Sequence, residues 1–361
     1  MDKSALTKHP QFWPVTALAA LLLLDLVMIP GFFSLQFKNG HLYGGVIDII
    51  NHAAPLILVA LGMTLVIATR GIDISVGAVL AISAAVSALL VLGTTVMHDG
   101  VAEYVSKQPL WVAIAAALGV AALCGVWNAL LVTVLGLQPI IATLILMVAG
   151  RGIAQLLTDG QVVTVNYQPY FFIGGGFLFG LPFAIYIALA VFLCLQLLMH
   201  KTALGLFIKA CGINPVAARL AGIRTGQLIF SAYVFCSVCA GIAGLMVCSN
   251  VKSADAQNAG LMIELDAILA ITLGGTKLTG GHFSLLGSVI GALIIQTLTY
   301  SIYSLGVPPE VNMVVKSVVV FVVCLTQSPE FRNMISIGRK SGVVNRPDAV
   351  KAPSPVSGAT K

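Results

Sequence analysis

The chain has 361 residues, of which 58% are hydrophobic and only 9% charged, against roughly 25% charged in typical soluble domains. Apolar stretches long enough to cross about 30 Å of hydrocarbon recur along it and leave no room for a soluble domain of ordinary size, so the composition indicates an all-α polytopic membrane protein. The net charge of +6 is scattered between apolar runs, a pattern that orients a protein in a membrane and argues against nucleic acid as a partner.

Residues 1–11 are polar and basic through Lys3 and Lys8. The run 12–33 is the first predicted span, read as a retained helix with a cytoplasmic N-terminus. Asp25 within it is costly in lipid and should face other helices. The second and third spans, 46–69 and 74–97, are separated only by Arg70, Gly71, Ile72 and Asp73, a reversal tight enough to place Arg70 at the cytoplasmic face. After a polar outer loop at 98–109 come a fourth span, 110–135, an inner turn from Gly136 to Pro139, and a fifth span, 140–157. Residues 158–180 form the longest outer loop, and the sixth span is 181–199.

The segment 200–226 breaks this apolar pattern with Lys201, Lys209, Arg219 and Arg224 and no acid, which assigns it to the cytoplasm. Asn214 suits an N-cap, Pro215 the first helical position, and Gly222 the left-handed position after the last turn. A short helix at 214–222 is predicted. Either it inserts into a groove on a cytoplasmic partner, or it lies as an amphipathic helix on the membrane surface.

The seventh span is 227–249, followed by an outer loop through Asp255 and Asn258. The apolar run 265–273 is too short to cross, and Gly274, Gly275, Gly280 and Gly281 interrupt the chain beyond it. The prediction is a short or broken helix near 265–283 with an inner glycine-rich reversal, as where transporter helices break at a cavity. The ninth span is 284–305 and the tenth 312–327. The domain 1–327 thus holds about ten spans, with eight to eleven allowed, and 328–361 reads as a disordered cytoplasmic tail. On this layout fourteen lysines and arginines lie inside, three (Lys38, Lys107, Lys252) outside, and Arg151 and Lys316 within spans, which supports the orientation.

No phosphate-binding G-x-x-x-x-G-K-[ST] occurs, nor H-E-x-x-H nor G-x-S-x-G, so no enzymatic role is expected and any ATP is used by a partner. No cofactor is expected. Cys236 and Cys239 form a lone CxxC within a span, without a second pair or a nearby His, and read as packing residues; no metal site is expected. Polar residues at membrane depth are the candidates for a transport pathway: Asn51, Asp73, Asn128, Arg151 and Asp266, with Asp25, Gln155 and Lys316 beside them. Helix capping by Asn51 and Asp73, and pairing of Arg151 with an acid, are the structural alternatives. Gly287 and Gly291 form a GxxxG that implies close helix contact.

The runs Gly62-Met63-Thr64-Leu65-Val66-Ile67 and Gly71-Ile72-Asp73-Ile74-Ser75-Val76-Gly77 resemble the signature of permease subunits of bacterial ABC importers for monosaccharides, the ribose and galactofuranose type. Gly212-Ile213-Asn214, Ala217-Ala218 and Ala221-Gly222-Ile223 resemble that family's cytoplasmic coupling segment. Glu264 to Ile268, followed by Gly274-Gly275-Thr276 and Gly280-Gly281, is a third match in the same order. Details around Asn51 and Arg151 look closest to the galactofuranose branch. Arg70 stands where that pattern has Gly, and Lys277 where it has Ser. The resemblance implies two permease chains, identical or related, around one pathway in the bacterial inner membrane, a cytoplasmic ATP-binding subunit below and a periplasmic sugar-binding protein above. It makes Gly212, Asn214, Pro215, Ala217, Ala218, Arg219 and Gly222 the ATPase-coupling residues. A proton- or sodium-coupled transporter using Asp25, Asp73 or Asp266 is the alternative from another class, and a stand-alone channel is a third.

Overall fold

The structure, a computed structural model, describes residues 11–38, 40–98 and 101–308, and positions 311, 314, 315, 317, 318, 321, 322 and 325. In chain order the described helices are α1 (Phe12–Met28), α2 (Gly45–Ala68), α3 (Val76–Val91), α4 (Leu110–Thr133), α5 (Pro139–Leu157), α6 (Gln168–Gly175), α7 (Phe183–Lys201), α8 (Leu204–Ile213), α9 (Pro215–Leu220), α10 (Thr225–Val251), α11 (Ile263–Leu273) and α12 (Leu285–Ser304). Among them α2, α4, α5, α7, α10 and α12 are long and apolar enough to cross a membrane, and α1 and α3 are shorter apolar helices. The fold is the predicted helical, multi-pass one.

Several boundaries differ from the sequence reading for local reasons. α1 stops at Met28 rather than at residue 33, because Pro30 cannot continue a helix and Gly31 turns the chain at φ +76°. α3 stops at Val91 rather than 97. Gly93 and the β-branched Thr94, Thr95 and Val96 open a hairpin, β1 (Gly93–His98) on β2 (Val101–Ser106), in place of the expected polar loop. The outer segment 158–180 carries α6, and the basic segment carries α8 before α9. The tenth predicted span is helical at the positions described; Lys3, Lys8, Lys316, Cys324 and the tail 328–361 lie outside the described residues.

The core lies around α2, which is buried almost continuously from Ala53 to Ala68 and packs against α10, α11 and α12. Gly62 lets the α2 backbone approach α10 closely, since a Cβ there would stand 2.8 Å from the Cys236 Cα. The GxxxG on α12 makes the close contact expected of it, with Gly287 against Gly274 and Gly291 against Ala270 of α11. Thr64 and Ser288 share a hydrogen bond of 2.7 Å between α2 and α12. α4, α5 and α7 expose Trp111, Leu123, Val148, Leu156 and Leu197 along the rim, the side suited to lipid.

Candidate functional site

The two ends of the bundle carry different chemistry. At one end, the first turns of α2 and α11 and the last turns of α10 and α12 enclose a polar groove. One part, of 250 Å³, is lined by His52, Asn250, Asp266 and Gln296 with Pro55 and Leu56 below them. The adjoining part, of 440 Å³, shares His52 and Gln296 and adds Asp48, Thr299, Tyr300 and Tyr303. Gln296, Thr299, Tyr300 and Tyr303 fall at i, i+3, i+4 and i+7, so they form one face of α12, and Asp48 and His52 are one turn apart on α2. The groove thus offers carboxylate, imidazole, amide and hydroxyl groups beside two aromatic rings. Asp48, His52 and Tyr303 are exposed on the single chain.

Of the predicted pathway residues, Asp266 lines this groove. Asn51 lies between His52 and Ile50 on α2, half-buried, and its Oδ1 has no hydrogen-bond partner among the described residues. Pro55, one turn on, has no N–H to give the Asn51 carbonyl. Asp73 and Asn128 come together, but away from the groove, in a buried knot. Asp73 Oδ1 accepts from Ser75 Oγ at 2.6 Å, Ser75 N at 3.0 Å and Asn128 Nδ2 at 3.5 Å, and Asn128 Nδ2 donates to Ser75 Oγ at 2.8 Å. The knot ties the α2–α3 turn to α4. Arg151 reaches from α5 to the chain before α11, where Nη1 donates to the Ala259 carbonyl at 2.6 Å, with Glu264 and Asp255 supplying opposite charge around it. In that exposed loop Asp255 is held below the usual carboxylate range, chiefly by the hydrogen bond from Asn258.

At the opposite end stand α8, α9 and the glycine-rich reversal after α11. Asn214 caps α9 as expected, its Oδ1 accepting from Val216 N and Ala217 N at 3.1 Å each, with Pro215 at N1 and Gly222 at φ +84°. α9 has six residues, ending at Leu220. Ala218 is buried and Ala217 and Arg219 are exposed; Arg219 Nε donates to Thr225 Oγ1 at 2.8 Å. On α9, Val216 and Leu220 stand 67% and 86% exposed, and their i, i+4 spacing makes one apolar stripe, with Ile213 at the end of α8 56% exposed beside it. The sequence reading, attentive to the alanines, missed it.

Arg70 fastens this platform to the core. Its backbone is left-handed at φ +67°, the conformation Gly adopts without cost, and its side chain turns to the end of α8. There Nε donates to the Gly212 carbonyl and Nη2 to the Ile213 carbonyl, each at 2.5 Å. Gly212 in turn packs on the Ala68 carbonyl and Gly281, and Gly281 N donates to that same Ala68 carbonyl at 3.0 Å. The base of α9, the end of α2 and the α11–α12 reversal are thereby one assembly.

Residues 45–324 match the family described as branched-chain amino acid transport system / permease component. The chain is 47% identical over 328 residues to the galactofuranose transporter permease protein YtfT of Escherichia coli K12, covering 90% of this chain and 92% of that one. It is 36% identical to the fructose import permease protein FruF of Bifidobacterium longum over 94% of each chain. With the ribose import permease protein RbsC of E. coli K12 it shares 35% over 86% of this chain and 92% of that one. The chain therefore belongs to this family of transport-system permease components.

Proposed function

We propose that the chain is the membrane subunit of an ATP-driven importer of a monosaccharide, of the galactofuranose or ribose class, in the bacterial inner membrane. The observation that carries this is the 47% identity with a galactofuranose permease along nine-tenths of the chain, together with a polar groove rich in hydrogen-bonding groups at one end. The α9 end, where Arg70, Lys201, Lys209, Arg219, Arg224 and Lys277 gather, faces the cytoplasm, and the groove faces the periplasm, where a sugar-binding protein delivers substrate. Asp48 and His52, exposed at membrane depth, would be costly against lipid. A second permease chain, identical or related, covers them and turns the groove into a pathway between two subunits. α9, with its exposed apolar stripe, seats on a cytoplasmic ATP-binding subunit, and ATP-driven closure there moves α7, α8 and α10. On this reading ATP is hydrolysed by the partner, and the permease needs no catalytic group, cofactor or metal of its own.

The similarity to galactofuranose, fructose and ribose permeases favours this reading over an ion-coupled transporter working through Asp25, Asp73 or Asp266. The reading is tested in proteoliposomes holding the permease with its ATP-binding subunit and binding protein, by uptake of labelled galactofuranose, ribose and fructose. Uptake of one of these that requires ATP and all three components is expected. Uptake by the permease alone under a proton or sodium gradient would overturn it.

A further inference from the structure

α7 and α12 both pack on α2 and leave a crevice between them whose floor is α2. Its middle is a slot of 160 Å³ with walls of Leu189, Phe192, Val289 and Leu293 and a floor of Ile50, Ala54 and Ile57. No polar side chain lines it. One turn further along the same two helices, at the α9 end, lies a chamber of 410 Å³ lined by Gln11, Gln196, His200, Lys209 and Ser284. On α12, Leu285 lines the chamber and Val289 and Leu293, one and two turns on, line the slot, so the two spaces lie in line along about 12 Å of that helix.

The chamber is cationic. No carboxylate lines it; Lys209 is exposed with its ammonium 5.6 Å from the centre of the Phe283 ring, and His200 is exposed beside it. Gln11 donates to Ser284 Oγ at 3.2 Å, which closes one wall. The ten residues preceding Gln11 carry Lys3, Lys8 and His9 against the single acid Asp2, so they offer no anionic occupant.

We propose that this crevice binds one anionic phospholipid, with the phosphate in the Lys209 chamber and an acyl chain along the α7–α12 slot. A basic pocket between helices at one end of the bundle, in line with an apolar slot one turn further along the same two helices, matches the amphiphile at both ends. A sugar would leave its hydroxyls unpaired in the slot. The site depends only on the crevice and not on transport, so it stands or falls separately from the importer reading. Its assignment to the cytoplasmic leaflet rests on the orientation proposed above.

The full-length permease in detergent, titrated with phosphatidylglycerol or phosphatidylcholine and read by native mass spectrometry, tests it. Wild type should retain phosphatidylglycerol about fivefold better than phosphatidylcholine. Lys209→Gln with His200→Gln, both at exposed positions, should erase that preference, and Lys209→Arg should keep it. Leu293→Trp should fill the slot and weaken retention of both lipids; Val289→Phe fills it from the next turn and replaces Leu293→Trp if the latter is not monodisperse. Equal retention of the two lipids by wild type, or an unchanged preference in the double variant, would overturn the proposal. Displacement of the lipid by inorganic phosphate, with no effect of either slot-filling variant, would also overturn it and leave a free-anion site.

Discussion

Arg70 is the residue whose local cost and global contact conflict most. A left-handed backbone at a residue with a Cβ costs about 1–2 kcal/mol, and here it is offset by two charge-assisted hydrogen bonds to the last carbonyls of α8, each worth about 1.5–3 kcal/mol where shielded and less at this partly exposed site. Arg70→Gly should relax the backbone and free the platform. Amides of residues 212–220 should then exchange about tenfold faster, the equivalent of about 1.4 kcal/mol, and more ATP should be hydrolysed per sugar moved; unchanged exchange would mean that the guanidinium anchors nothing. The departure from the family pattern at this position was legible in the sequence, but its partner was not, because Gly212 lies 142 residues away and no local spacing joins them. Asn128 is a second such case. Its polarity at membrane depth was legible, yet its amide holds Ser75 and Asp73 rather than an open path. Asn128→Ala removes the donor from a buried carboxylate, so a loss of about 1–2 kcal/mol in unfolding free energy is expected for the purified protein. Wild-type stability with lost transport would instead return Asn128 to the pathway.

At the scale of elements, α9 was legible because its punctuation is local: an Asn cap, a Pro at the first position and a Gly after the last turn. The short α11 was legible by length. The hairpin of β1 and β2 was not, since Thr94, Thr95 and Val96 continue an apolar run that reads equally as helix. The polar face of α12 was present in the sequence as the spacing of Gln296, Thr299, Tyr300 and Tyr303, but its meaning depends on α2 and α11 standing opposite. For α9 the orientation of each side chain separates two kinds of substitution. Val216→Glu and Leu220→Glu place a charge on the exposed stripe without touching the fold, so the permease should insert normally but no longer co-purify its ATP-binding subunit. Ala218→Glu buries a charge against the chain's own helices and should lower stability first. Retention of the ATP-binding subunit by both stripe variants would make α9 a membrane-surface helix.

Across the whole molecule, the groove and the α9 platform stand at opposite ends of α2, about 24 Å apart from His52 to Ala68 at 1.5 Å per residue. Coupled transport requires ATP binding at one end to change access at the other. In the importer proposed above, α2, buried from Ala53 to Ala68 apart from the half-buried Pro55 and tied to α8 by Arg70 and to α12 through Thr64 and Ser288, is the element placed to carry the change. The direct measurement is labelling of a single cysteine at position 296, replacing Gln296 in a background whose seven native cysteines are replaced by alanine, with a membrane-impermeant thiol reagent applied from the periplasmic side. In the assembled transporter, the labelling rate should change severalfold between the nucleotide-free and the ATP-bound state. Equal labelling in every nucleotide state, in a complex that still transports sugar, would contradict this coupling through α2.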